Sequence, residues 1–163
     1  MYNTKIFTRI FAAALLAGTV ALSGCASGGA DKSAAIKDRQ ALMQTILKNW
    51  KPIKAFAKSG KGSSADVVKH ANAINATTDQ MLALFPKGSG RGDFSDKQTR
   101  TLPAVWKDWN GFKKANQTLA DESAKLASIA AGGDKQAIAK QVGAMGKLGC
   151  GGCHKPFRGA KAK

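Results

Sequence analysis

The chain has 163 residues, of which 44% are hydrophobic and 22% charged. This composition suits a single domain with a core and excludes a chain that is disordered throughout. Twenty-six Lys and Arg against ten Asp and Glu give a net charge of +16, which excludes an acidic protein and favours anionic partners. Two His and one Tyr offer few groups for general acid–base catalysis, so we do not expect an enzyme.

The first 24 residues are typical of a bacterial export signal. A short basic head precedes an uncharged apolar run over residues 10–22, which is too short to span a bilayer comfortably. The run ends in Leu22-Ser23-Gly24-Cys25, which resembles a lipobox, where the Cys becomes the lipid-modified first residue. We therefore expect lipid attachment at Cys25 and anchoring on the periplasmic side of a membrane. Ordinary cleavage nearby, with a soluble periplasmic product, is the alternative.

The leader also sets the rest of the organisation. Export argues against nucleic acid as a target, so we expect the positive charge to face an acidic redox partner or anionic lipid. Residues 25–31, which begin at the lipidated Cys, are predicted to form a flexible tether. Residues 32–159 form the domain, and residues 160–163 are a basic tail.

Helical periodicity covers most of the domain. The first pattern, over about 32–58, ends at the Gly- and Ser-rich segment 59–64, and the second ends at Pro86. Residues 87–101 lack a period and form a predicted loop. The apolar positions of the two patterns are Ile36, Met43, Ile46, Leu47, Trp50 and Ile53, then Val67, Ala71, Ile74, Met81 and Phe85.

Two further helices follow the loop. Pro103 suits the first turn of the third helix, which Gly132-Gly133 end, and Asp134 suits the N-cap of the fourth. No segment alternates as a strand does, so we predict an all-α fold, an antiparallel four-helix bundle. The apolar positions are Val105, Trp109, Phe112, Leu119, Leu126 and Ile129, then Ile138, Val142, Met145 and Leu148.

One motif carries chemistry, the C-x-x-C-H sequence Cys150-Gly151-Gly152-Cys153-His154. It is typical of covalent c-type haem attachment. Residues i, i+3 and i+4 share one face of a helix, so both sulfurs can reach the vinyl groups of one porphyrin edge. His154 then lies where its imidazole can bind the iron. We expect one covalent haem c near the C-terminus.

Two other uses of such a motif are disfavoured. A dithiol redox motif needs a βαβ context, which the sequence lacks. A zinc site needs more ligands, and His70 is the only other His. The cysteine count agrees with haem, because Cys150 and Cys153 bind haem, Cys25 binds lipid, and no Cys remains for a disulfide.

With these motifs in place, the chain resembles the class II c-type cytochromes, the cytochrome c′ family. In this family a four-helix bundle holds haem near the C-terminus, and cytochrome c′ is itself a standard example of such a bundle. The resemblance spans about residues 33–160. It rests on Arg39–Met43, on Phe85–Ser89 with Leu102–Trp106, and on the CGGCHKPFR segment from Cys150 to Arg158.

The resemblance implies roles for residues on the proximal side of the haem. Cys150 and Cys153 match the thioether positions, and His154 matches the proximal iron ligand. Arg158, one turn further on, matches an Arg packed near that imidazole.

The resemblance also implies roles in the first helix. Arg39 matches an Arg near the haem propionates, and Met43 matches the distal residue facing the iron. Read from the residues alone, Arg39 lies at the edge of an apolar stripe, which suits a buried anionic group. An exposed Arg39 paired with Asp38 or Gln40 is the alternative, and Met43 can equally be a core residue.

Three functions remain open at this point. The first is a monohaem electron carrier with His154 and Met43 as ligands, since Met/His ligation raises the reduction potential. The second is a five-coordinate protein that binds NO or CO beside an apolar distal wall. The third is a haem-free thiol–disulfide lipoprotein. The resemblance also implies a homodimer, although so basic a chain can stay monomeric through self-repulsion.

Overall fold

The computed structural model describes residues 28–162, with side chains from residue 32 onward. The predicted signal peptide and Cys25 therefore lie outside the described residues. The helices are α1 (Gly28–Ser59), α2 (Ser64–Met81), a 3₁₀ helix (Leu82–Leu84), α3 (Ala104–Lys107), α4 (Trp109–Ala131), α5 (Lys135–Ala144), a π-helical segment (Met145–Cys150) and α6 (Gly151–Phe157).

The predicted all-α four-helix bundle is confirmed. Its four members are α1, α2, α3 with α4, and the continuous run of α5, the π-helical segment and α6. Within residues 28–162 there is no strand, only two isolated bridges. Helix α2 packs against α1 and α4, and α5 packs against α1 and α4, so each member has neighbours on two sides.

Helix α1 begins earlier than the sequence predicts. Its start at Gly28 takes up residues 28–31, which the sequence assigns to the flexible tether. A nucleated helix lengthens at the gain of one hydrogen bond per residue, so polar residues can extend it beyond the packed part. Pro52 lies inside α1, yet neighbouring Ile53 is fully buried.

Capping residues define the other ends. The hydroxyl of Ser63 accepts from the Asp66 amide at 3.1 Å, and the Asp66 carboxylate accepts from the Ser63 amide at 3.0 Å, which together form a capping box for α2. Asp134 accepts from the amides of Gln136 and Ala137, so the prediction of its N-cap is confirmed. Gly133, with φ 76°, takes the left-handed turn after α4.

The predicted third helix is interrupted. Asp108, with φ −124° and ψ 63°, separates α3 from α4, and its Oδ1 accepts from the Gly111 amide at 2.9 Å. An Asp side chain that caps a new helix competes with continuation of the old one. The stripe spaced by seven is nevertheless intact, because Val105, Phe112 and Leu126 are buried with Leu119.

The last helix departs most from the predicted pattern. Leu148, predicted on the core side, is 46% exposed, whereas Gly149 is buried. The Gly151 amide donates to the carbonyl of Gly146, five residues earlier. This wider π-helical winding changes the phase of the side chains, so the period of an α-helix no longer identifies the buried positions.

The helices of residues 28–162 also bear on membrane insertion. None of them combines the length and hydropathy needed to cross a bilayer.

Candidate functional site

A cavity of about 500 Å³ opens between α1 and the C-terminal run, within the usual size range of cofactor sites. It brings together Met43 from α1 and all three chemical residues of the C-x-x-C-H motif. Its lining comprises Arg39, Gln40, Met43, Gln44, Ile46, Leu47, Trp50, Met81, Phe85, Thr99, Arg100, Thr101, Phe112, Cys150, Cys153, His154, Phe157 and Arg158.

The C-x-x-C-H motif lies where the π-helical segment passes into α6. Cys150 is the last residue of that segment, and Cys153 and His154 lie in the first turns of α6. All three side chains are half-buried and face the cavity. π-Helical turns are frequent at functional sites, and this one sets the rotation of the motif relative to α5.

The two thiols are poor nucleophiles. Burial raises the pKa of Cys153 to about 11, with nearby Cys150 adding to the effect and Arg158 opposing it. Burial likewise raises the pKa of Cys150. Thiol–disulfide exchange requires a thiolate, usually of lowered pKa, so these surroundings argue against the haem-free dithiol hypothesis.

His154 is held in the neutral form. Burial lowers the pKa of His154 to about 4, and the positive charges of Arg158 and Arg100 act in the same direction. A neutral imidazole is the form that binds a metal. Arg158 Nη1 lies 3.5 Å from His154 Nε2, so Arg158 is placed beside the imidazole, as expected.

Arg39 is buried at the cavity edge, with 4% of its surface exposed. Nη1 donates to Ser89 Oγ at 2.8 Å, and Nη2 donates to Thr99 Oγ1 at 2.7 Å and to the Ser89 carbonyl. The alternative of an exposed Arg39 paired with Asp38 or Gln40 is therefore wrong. These partners are neutral, and burial lowers the pKa of Arg39 to about 10.

The sequence does not reveal these partners of Arg39. Ser89 and Thr99 lie in the 87–101 loop, whose lack of a period gives no indication of contacts. They are buried, together with Thr101. A polar residue that is buried within a loop is visible only once the fold brings its partner close.

Met43 is half-buried and borders the cavity from α1. Leu47, predicted as a core position, is instead 43% exposed at the cavity border. The α1 side of the cavity therefore meets solvent, because α1 also contributes the exposed residues Gln40 and Gln44 to its lining.

His70 lies away from this cavity. Its Nδ1 is 2.8 Å from Asn49 Oδ1, and it borders a separate cleft between α1 and α2. The structure therefore gives no support for His70 as a distal or zinc ligand. Across the described part of the chain, no three His, Cys, Asp or Glu side chains are grouped to hold a metal ion.

The glycines near the motif answer to helix packing. A β-carbon at Gly149 would lie 3.1 Å from Leu119 Cδ1, and one at Gly146 would lie 3.4 Å from Trp50. Gly143 and Gly152 have open space around them. Close approach of α4 to the π-helical segment thus accounts for Gly149.

Comparison with known proteins agrees with this site. A family model described as Cytochrome C' matches residues 34–158. The cytochrome c′ of Rhodospirillum rubrum is 32% identical over 129 residues, which cover 79% of this chain and 84% of that protein. The cytochrome c′ of Halomonas halodenitrificans is 32% identical over 131 residues, covering 79% and 98%.

Solved structures give the same result. The cytochrome c prime of Shewanella frigidimarina superposes with a TM-score of 0.69 at 28% identity, covering 79% of this chain and 97% of that one. The cytochrome c′ of Rubrivivax gelatinosus superposes with a TM-score of 0.66 at 27% identity, covering 78% and 96%.

Proposed function

This chain belongs to the cytochrome c′ family and carries one covalently bound haem c, and on that premise we propose that it is a monohaem electron carrier on the periplasmic side of a bacterial membrane. The observation that carries the proposal is that Met43 and His154, on different helices, border one cavity. When bound, the haem iron supplies a reversible one-electron change. The protein supplies attachment, axial ligands and the surrounding charge.

The proposed attachment uses Cys150 and Cys153, with His154 as the proximal iron ligand. Support comes from the half-burial of all three side chains and from their common cavity. The low pKa of His154 keeps its nitrogen lone pair available at neutral pH.

The proposed distal ligand is Met43. It lies on the α1 side of the cavity, across from α6, and its thioether is a ligand that raises reduction potential when paired with His. Arg39, one turn earlier in α1, and Arg158, beside His154, supply positive charge at the two ends of the cavity for the propionates and the proximal imidazole.

The proposed redox partner is an acidic protein. The solvent side of α1 bears five exposed lysines, and within residues 39–59 of this helix there is no acidic side chain. Because α1 also forms the exposed border of the cavity, this lysine face would steer an acidic protein towards the haem edge. The lysine face comprises Lys37, Lys48, Lys51, Lys54 and Lys58.

The proposed anchor is a lipid on Cys25, three residues before α1 begins. Mass spectrometry of the membrane-extracted protein tests it, since diacylglyceryl modification adds a defined mass that Cys25→Ser should remove. An unmodified mass in the wild-type protein would leave a freely diffusing periplasmic carrier.

A five-coordinate, gas-binding cytochrome c′ is the second candidate. The cavity wall near Met43 is apolar, formed by Ile46, Leu47, Trp50 and Met81, which favours small neutral ligands such as NO and CO. One solved relative, 27% identical, is described as showing an unusual ligand-controlled dimer dissociation. For this chain we accordingly include a homodimer among the proposed assemblies.

Absorption spectra and intact mass of the exported holoprotein test these functions. Electron carriage predicts a mass raised by one haem and a sharp low-spin reduced spectrum that CO alters little. A broad high-spin spectrum that CO alters strongly would instead support the gas-binding candidate. A mass without haem would contradict both.

A further inference from the structure

A buried polar cluster joins α1 to the 87–101 loop at the edge of the cavity. Its members, Arg39, Ser89, Thr99 and Thr101, are each less than one-tenth exposed. Such a cluster costs stability unless every buried donor finds an acceptor. Its hydrogen bonds therefore constrain how the loop and α1 can be arranged.

Thr99 is the centre of this cluster. Its Oγ1 accepts from Arg39 Nη2 at 2.7 Å and from the Thr101 amide at 3.1 Å. One hydroxyl thus ties a side chain of α1 to the backbone at the end of the loop. A second tie runs beside it, where Gln40 Nε2 donates to the Gln98 carbonyl at 2.9 Å.

The end of the loop is in turn tied to the residues that follow His154. The Leu102 amide donates to the Phe157 carbonyl at 3.0 Å, and Thr101 forms an antiparallel bridge with Arg158. The Arg158 amide donates to the His154 carbonyl at 3.2 Å. Hydrogen bonds and short chain segments therefore connect α1, one turn before Met43, with the helix that carries His154.

We propose that Thr99 is a positioning residue, which acts through Arg39 and Thr101 to fix the spacing between Met43 on α1 and His154 on α6. This inference rests on the proposed haem site. With the Thr99 hydroxyl in place, Met43 is held across from His154 and obstructs the distal side. Without it, α1 is free to move outward, and Met43 yields more readily to an external ligand.

The test is the CO affinity of the reduced holoprotein. CO must either displace the Met43 thioether or pass it, so its affinity reports the position of Met43 in both coordination states. Thr99→Val keeps the shape and removes the acceptor, and we expect CO affinity to rise about fivefold or more, as for coupling between linked sites. Thr99→Ser keeps the hydroxyl and should restore the wild-type affinity.

Thr45→Val is the matched control. Thr45 is exposed on α1, and its hydroxyl donates only within the helix, to the Ala41 carbonyl at 3.2 Å. Its CO affinity should equal that of the wild type. A Thr99→Val protein within twofold of the wild type, with full haem content, would overturn the proposal.

Two further measurements keep the test decisive. If Thr99→Val does not fold, Ser89→Ala weakens the same tie, because Ser89 Oγ accepts from Arg39 Nη1 at 2.8 Å, and it should raise CO affinity by a smaller factor. An unchanged Ser89→Ala protein would then count against Thr99. A wild-type protein without haem would refute the proposed function itself, and its spectrum reveals this before any variant is compared.

Discussion

Gly149 and Leu119 approach each other so closely that a β-carbon on the glycine would lie 3.1 Å from Leu119 Cδ1 and 3.4 Å from its Cα. We expect Gly149→Ala to lower the free energy of unfolding by about 1–3 kcal/mol, as overpacking does. The Cα belongs to the backbone of α4 and cannot rotate away. Thermal or urea unfolding of the holoprotein measures the change.

Gly143→Ala is the control for this prediction. Gly143 is exposed within α5, and a β-carbon added there would meet no neighbouring atom within 4 Å. Here the substitution should stabilise by about 0.5–1 kcal/mol, because Ala loses less backbone entropy than Gly in a helix. Equal effects at the two positions would show that α4 does not constrain Gly149.

Substitution of Met43 separates the two proposed functions. If Met43 binds the iron, Met43→Ala removes the low-spin reduced spectrum and lowers the reduction potential, since Met/His ligation raises it. Potentiometric titration with simultaneous absorption spectroscopy measures both. Trp50→Phe, at another cavity position on α1, should keep the low-spin spectrum.

If Met43 is only a cover over the distal side, its removal has a different signature. The spectrum and potential of Met43→Ala then match the wild type, while CO or NO binds faster. That outcome would replace electron carriage with gas binding as the preferred function.

The lysine face on α1 should govern the rate of electron transfer. Replacing Lys48, Lys51, Lys54 and Lys58 by Gln should slow oxidation by the hexacyanoferrate(III) anion by about tenfold at low ionic strength. Raising the salt to about 0.1 M should remove most of the difference, because the Debye length is then about 10 Å. Stopped-flow kinetics provide the measurement.

The lysines of α3 and α4 offer a control of equal charge. Lys107, Lys113, Lys114 and Lys125 lie on these helices and are exposed, whereas α4 contributes only buried Phe112 to the cavity. Their replacement by Gln should slow the reaction less. Equal slowing by both sets would mean that net charge, rather than the α1 face, directs the approach.

Asp66 should make the stability of α2 depend on pH. Hydrogen bonds from Ser63, first from its side chain and then from its backbone, lower the pKa of Asp66. Its contribution is therefore complete above the unfolded value of about 3.9 and is lost as the pH falls through the lower folded value. Asp66→Asn should reduce the melting temperature at pH 7 and matter progressively less in acid.

Asp79→Asn supplies the comparison at the other end of α2. Asp79 is exposed two residues before the last residue of that helix, where the helix dipole disfavours a negative charge. Removing this charge should not lower the melting temperature. A loss equal to that of Asp66→Asn would show that total charge, and not the cap, is responsible.

Local patterns in the sequence are sufficient for much of the fold. The spacing of seven in Val67, Ile74 and Met81 identifies buried positions, because each helix turn repeats its environment. Asp134 and Gly133 are predicted from their capping preferences. The C-x-x-C-H motif predicts the cofactor class, since its spacing is itself the geometry of attachment.

Features that depend on distant contacts or on altered winding escape prediction. The partners of Arg39 lie 50 and 60 residues away in sequence, and no local pattern records such a distance. The break at Asp108 arises because its carboxylate caps α4 instead of facing solvent. The prediction for Leu148 is wrong because the period changes where α5 gives way to the π-helical segment.

That change of winding has a consequence for how the chain tolerates insertions and deletions. Removing a single residue between Met145 and Gly149 would let ordinary α-helical bonding resume, and everything downstream would swivel by about 100° about the helix axis. Both sulfurs and the imidazole would then point elsewhere, although the motif itself would read the same. The length of this short stretch is thus as strict a requirement as the identity of the residues it presents.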